Sequence, residues 1–337
     1  MRVRLGITTT FAVKRWPRPL DWAPIIRERL GLRLVQHTLD LVEPPLGVGS
    51  VVTRSGAVRR ACADHDLEIH STITGRAAAA RCLLLHPDPE VRTEARLSFH
   101  RAIAFTERVG GIATGGHLGA LAAVDASDPE ATTARWRDVR AALTTLATDA
   151  RRAGLECLLV ENRPSAREAS TMAVVRDLLR DGDDLHAAVR TCLDLGHMWV
   201  AGASGDDLDP YAWLRAFARV APVVQVQQSD ASADRHWPFT AEYNPLGRIH
   251  ADPVLDALGE GGAEDVVLVL EVHPPSAQDD ASLVDDLVAS VAYWREALAR
   301  RGLGGIQAPF YAAGLVFLAG GIVVTASLRR TARPVVG

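Results

Sequence analysis

The stretch Val266-Val267-Leu268-Val269-Leu270-Glu271 decides how this chain folds. Its apolar residues run without a polar interruption, so neither face of the strand they form is suited to water. Strands buried on both faces belong to parallel sheets covered by helices. The run also ends on a carboxylate. Comparable short runs extend from Val3 to Thr8, Leu32 to Leu41, Leu67 to Thr72, Gly111 to Thr114, Cys157 to Val160, Val189 to Asp194 and Pro222 to Gln228. After each, apolar residues return at helical spacing. The spacing predicts helices from about Pro19 to Leu30, Val51 to Asp66, Pro89 to Val109, Ala131 to Ala153, Ala169 to Arg180, Tyr211 to Arg219, Pro253 to Leu258 and Ala281 to Arg301. This strand-then-helix alternation predicts the α/β class and a (β/α)8 TIM barrel. A doubly wound open sheet is the alternative. No G-x-G-x-x-G follows the first strand, which weakens a nucleotide-binding version of it.

The chain has 337 residues, 48% of them hydrophobic and 23% charged, enough for one large barrel. No Pro/Gly/Ser-rich linker divides it. The formal net charge of −4 lacks the basic excess of a duplex-binding surface, so nucleic acid is not the expected partner. Cys62, Cys82, Cys157 and Cys192 show no CxxC spacing and read as reduced residues of a cytoplasmic protein. The start, Met1 to Gly6, enters a strand directly, without the apolar run of a signal peptide. Basic residues are almost all Arg; the single Lys is Lys14. Lys14 reads either as a solvated loop residue or as a site that needs a compact point charge.

In parallel barrels the chemistry sits at the C-terminal ends of the strands. The polar residues falling there are His70, His117, Glu161, Asp194 with His197, Gln225 with Gln227, and Glu271. The loop after strand seven adds Asp234-Arg235-His236. Asp194 alone reads equally as a metal ligand or as a hydrogen-bonded buried carboxylate. Three carboxylates and several imidazoles converging on one mouth would repel each other without a cation. Carboxylate, imidazole and amide donors suit Mn, Mg, Co or Zn.

This combination resembles the xylose-isomerase-like barrel superfamily over roughly residues 1–302. That group includes sugar-phosphate isomerases and epimerases and the endonuclease IV type of repair enzyme. The resemblance implies one divalent metal held by Glu161, Asp194, Gln225 and Glu271, with His197 contacting substrate. Gln225 stands where His is usual and, as a hard donor, favours Mg or Mn over Zn. Shorter strings are similar to tetrulose (erythrulose) phosphate epimerases and isomerases. They are Phe11-Ala12-Val13-Lys14-Arg15-Trp16, Thr114-Gly115-Gly116-His117-Leu118-Gly119, Arg167-Glu168, Gln227-Gln228-Ser229-Asp230 and Asp234-Arg235-His236-Trp237-Pro238-Phe239.

The implied activity is epimerisation or isomerisation of a small ketose, a tetrulose or pentulose phosphate, through an enediolate. Glu161 and Glu271 would exchange the proton from opposite sides. Substrate contacts are expected from Lys14, His70, His117, Arg167, Arg235 and His236. Among the cations near the mouth (Arg163, Arg167, Arg235, Arg76 and Lys14), Arg167 and Lys14 are the expected phosphate anchors. The rival from another reaction class is an endonuclease IV-like phosphodiesterase, using His70, His117, Glu161, Asp194, His197, Asp234, His236 and Glu271. A non-catalytic sugar-binding barrel is a third reading, and a homo-oligomer fits any of them.

The chain changes character after Arg301. Gly302 to Leu328 carries no charge, and Phe310 to Leu328 is long enough to span a membrane. Residues 303–337 therefore read as a tail separate from the barrel. It is a membrane segment through 306–328, an arm packing on the barrel or a partner, or a poorly folding extension.

Overall fold

All eight expected strands are present in the computed structural model, which describes residues 1–42, 48–179 and 189–303. They are β1 (Arg2–Thr8), β2 (Leu34–Thr38), β3 (Glu68–Ile73), β4 (Ala113–Gly116), β5 (Cys157–Glu161), β6 (Val189–Asp194), β7 (Val223–Val226) and β8 (Asp265–Leu270). They pair in sequence order and in parallel, and β8 closes on β1. The doubly wound sheet is thereby excluded.

Alternation along the strands builds two cores. Leu34, Ile73, Ala113, Leu159, Cys192, Val223, Val267 and Val269 fill the barrel interior. The alternate residues, among them Val224, Val266 and Leu268, pack outward against the helices. The run Val266 to Leu270 is apolar throughout because both of its faces are buried, by about 0–1% exposure at every residue.

Three outer helices start on a repeated signal. Asp88, Asp128 and Asp209 each precede a Pro and accept a hydrogen bond two residues on, from Glu90 N (2.8 Å), Glu130 N (2.8 Å) and Tyr211 N (2.9 Å). Each such cap stabilises its helix by roughly 1 kcal/mol. Proline at the first helical position removes a donor that would have had no partner.

Two expected boundaries move. Strand two stops at Thr38 rather than Leu41, because the Thr38 hydroxyl accepts Asp40 N (3.4 Å) and opens a 3-10 turn over Leu39–Leu41. Strand four covers Ala113–Gly116 rather than 111–114. At Gly115 a Cβ would lie 1.9 Å from the Leu159 carbonyl oxygen of β5, so only glycine lets the two strands approach there. The four cysteines are free, as expected, with Cys62, Cys157 and Cys192 buried.

The tail of residues 303–337, with its membrane contact through 306–328, lies outside the described residues apart from Leu303. Among the described residues no helix is long and apolar enough to cross a membrane.

Candidate active site

The ends of β4, β5 and β6 form one wall of the mouth. Glu161 closes β5 and is buried. Its Oε1 accepts from Arg163 Nη1 (2.7 Å), and its Oε2 lies 3.3 Å from His117 Nε2. His117 is set by β4. At Gly116 (φ 121°) a Cβ would fall 2.3 Å from Thr74 Oγ1, and that hydroxyl accepts His117 N at 2.7 Å. Asn162 continues β5 with its side chain. Its Nδ2 donates to Asp194 O (3.0 Å) and its Oδ1 accepts Asp194 N (2.8 Å). The Asn162 carbonyl accepts from His197 Nδ1 at 2.7 Å, which turns His197 Nε2 toward Asp194 Oδ2 and Asp234 Oδ2, each at 3.3 Å.

The Asp194-Leu195-Gly196-His197 segment is a 3-10 turn capped by Asp194 itself, whose Oδ1 accepts Gly196 N at 2.8 Å. Gly196 is needed because a Cβ there would lie 2.2 Å from Gln227 Cδ. The Gln227 amide lies over that glycine. Its Nε2 donates to Asp194 Oδ1 (2.9 Å), Asp194 Oδ2 (3.1 Å) and Asp234 Oδ1 (3.1 Å), while its Oε1 accepts His236 N.

The opposite wall comes from β8 and the loop after β7. His236 Nε2 lies 3.1 Å from Asp234 Oδ1, its Nδ1 lies 3.2 Å from Glu271 O, and its ring stacks on His273 at 3.6 Å. Glu271 is buried with Oε2 unpartnered, and its Oε1 lies 3.6 Å from His273 Nε2.

Charge in this mouth is unevenly balanced. Burial opposes ionisation of Glu161, but His117, Arg163 and His197 outweigh it and hold the carboxyl below its ordinary range. Glu271 is pushed far up, by burial and by the neighbouring Asp194 and Glu161 charges. Burial would lower the pKa of His197, yet Asp194 and Asp234 raise it to about 9. Asp234 is half-buried, and His197 and His236 hold it well below the usual carboxylate range.

Two sets of side chains bring possible metal-ligand atoms within 4.8 Å of one another: Asp194, His197 and His236, and His236, Glu271 and His273. A cavity of about 550 Å³ opens above them, with His117, Glu161, Arg163, Arg235, His236 and Glu271 in its wall.

The structure therefore assembles Glu161, Glu271, His197, Asp194, His117, Arg235 and His236, and leaves four expected residues elsewhere. His70 is buried toward the other end of the barrel, where its charged neighbours are Arg4 and Asp265, and burial lowers its pKa to about 4. Gln225 faces the interior one pleat below the mouth, with Nε2 donating to Gln36 Oε1 at 3.0 Å. Inward positions alternate along β7, so the residue that reaches Asp194 is Gln227. Lys14 and Arg167 are exposed and neither lines the cavity. At Arg167 the chain uses its carbonyl, which accepts Leu121 N at 2.8 Å, and the next residue, Glu168, is the buried one. Asn162 lies outside the expected set; its signal is an amide directly after the strand-ending Glu161. His273, two residues past Glu271, is also outside the expected set; it is held by stacking on His236.

The sequence pattern of the xylose isomerase-like TIM barrel family matches residues 28–299. The chain belongs to that family. It is similar to D-erythrulose 1-phosphate 3-epimerase of Brucella abortus strain 2308, with 27% identity over 300 residues, covering 87% of this chain and 96% of the relative. A solved structure from Rhodospirillum rubrum ATCC 11170, provisionally described as a xylose isomerase, shares 30% identity at a TM-score of 0.80, covering 87% of this chain and 99% of its own. D-psicose 3-epimerase from Clostridium cellulolyticum H10 shares the family fold at 15% identity and a TM-score of 0.66, over 88% of this chain and 99% of its own.

Proposed function

We propose that this chain is a divalent-metal-dependent sugar epimerase or isomerase, acting through the barrel of residues 1–302 on a small ketose phosphate of tetrulose or pentulose size. The observation that carries the reading is the convergence of Glu161, Asp194, Asp234 and Glu271 with His197 and His236 around one cavity. The epimerase activity of the Brucella abortus relative supports the reaction class and the phosphorylated substrate.

The side chains fit a divalent cation. Glu271 Oε2 is buried without a partner, and the carboxylates outnumber the cations that face them. Glu161, Asp194 and Glu271, with His236, would hold the ion; oxygen-rich ligation favours Mn or Mg. Gln225 is withdrawn from this set. When bound, the metal supplies Lewis-acid stabilisation to the oxygen that gains charge as an enediolate forms.

The protein's own groups do the rest. Glu161 ends β5 and Glu271 directly follows β8, so they approach the cavity from different sides. One removes the proton next to the carbonyl and the other returns it. His197, aimed by the Asn162 carbonyl, presents Nε2–H to a substrate oxygen. His117, Arg235 and His236 border the substrate. The phosphodiesterase alternative needs His70 in the mouth, and His70 sits beside Arg4 and Asp265 instead.

Glu161→Gln and Glu271→Gln test the assignment in heavy water with Mn and a tetrulose phosphate. Each substitution is expected to lower deuterium incorporation next to the carbonyl by on the order of 100-fold or more. Undiminished exchange in both variants would remove the acid–base roles.

A further inference from the structure

Three arginines line the cavity: Arg163, Arg235 and Arg76. Two of them are committed. Arg163 donates to Glu161 at 2.7 Å. Arg235 donates to Asp230 (3.2 Å) and Ser232 (2.9 Å) and lies 5.0 Å over the Trp237 ring. Arg76 differs. Among the described residues its guanidinium has no carboxylate partner and no hydrogen bond.

The local backbone explains why. Arg76 follows β3 at the rim of the mouth, close to Asp40, the carboxylate that would otherwise neutralise it. Asp40 instead accepts two main-chain donors, Arg76 N on Oδ2 (2.7 Å) and Ala77 N on Oδ1 (3.3 Å). That arrangement fixes the backbone of the turn and leaves the side chain unpaired against the cavity. The positive charge of Arg76 adds to burial and to His236 in lowering the pKa of half-buried His273.

The floor of the cavity is acidic, with Glu161, Asp234 and Glu271 in its wall. The cations deep in the cavity are engaged with those carboxylates, so a phosphoryl dianion attached to a substrate would find its free counter-charge at the unpaired guanidinium at the rim. Guanidinium also matches phosphate oxygens in a paired, directional way. We propose that Arg76 seats the phosphoryl group of the substrate and so selects phosphorylated ketoses over free ones. This assignment rests on the reading of the cavity as a ketose site, and it replaces Lys14 and Arg167 as the phosphate anchors.

The test compares the wild type with Arg76→Gln and Arg76→Lys in two measurements. In calorimetric titration with inorganic phosphate and with a tetrulose phosphate, Arg76→Gln is expected to weaken both by about tenfold or more, and Arg76→Lys to recover part of the loss. In steady-state kinetics, Arg76→Gln raises KM for the tetrulose phosphate by a similar factor with little change in kcat. The fall in kcat/KM for the unphosphorylated tetrulose is about tenfold smaller. Equal phosphate affinity in wild type and Arg76→Gln overturns the assignment, as does an equal loss on both ketoses. If the phosphate difference appears but the wild type turns over no ketose, Arg76 stands as the phosphate site and the epimerase reading falls.

Discussion

Gln225 and Gln227 lie two residues apart near the end of β7 and face the same way, yet they serve different regions. Gln225 belongs to a sealed neutral layer, where it donates to Gln36, which in turn donates to Ser71 Oγ at 3.2 Å. Gln227 belongs to the mouth, where it holds Asp194 and Asp234. A single pleat separates a polar group that serves packing from one that serves a charged site. The neutral layer needs only mutual hydrogen bonds to be tolerated in a core. The mouth concentrates carboxylates of unequal standing: Arg163, His117 and His197 outweigh the burial of Glu161, while the burial of Glu271 is left uncompensated.

Paired substitutions break or sharpen this contrast. The largest effect is expected at Gln227. Gln227→Ala releases Asp194 and Asp234 together and should lower exchange activity by about 100-fold, the upper range for a residue that orients ligands. A loss no larger than that of Gln225→Ala would dissolve the distinction between the layers.

Second in size is the acid sensitivity of the sealed core around His37. This ring lies between Trp22 and Phe105, with centroids 5.7 and 5.6 Å away, and burial lowers its pKa to about 3. The unfolded chain takes up the proton more readily than the fold does. The stabilising contribution of neutral His37 is thus complete above about pH 6.5 and is lost as pH falls toward 3, by about 2 kcal/mol at pH 5. Denaturant unfolding across pH 7 to 4 should show a shallower decline in His37→Gln; parallel curves would contradict the account.

The smallest effect is expected from Gln225→Ala. It leaves the Gln36 carbonyl unsatisfied and should cost about 1 kcal/mol in urea unfolding, with exchange activity within about threefold of wild type.

Much of the barrel is legible in the chain. Runs such as Val266 to Leu270 read as strands covered on both faces, and eight strand-then-helix units favour closure over an open sheet. The strand-ending carboxylates Glu161, Asp194 and Glu271 are legible for the same reason, since a charge at the end of an apolar run must meet something. The depth of each inward side chain is not legible. Val35 pairs with Ile69 but Gln36 pairs with Ser71, so His70 falls in a bulge between β2 and β3 that no local pattern announces. Gln225 and Gln227 differ only by the level at which the mouth begins. Asn162 and Arg76 owe their settings to Asp194 and Asp40, which are distant in sequence.

The most direct measurement is proton NMR of the wild-type protein with Mn and a tetrulose phosphate in heavy water. Deuterium is expected at one carbon next to the carbonyl, appearing with the new isomer and disappearing when the metal is chelated. A new isomer that carries no solvent deuterium, or exchange that is indifferent to chelation, would contradict the proposed function.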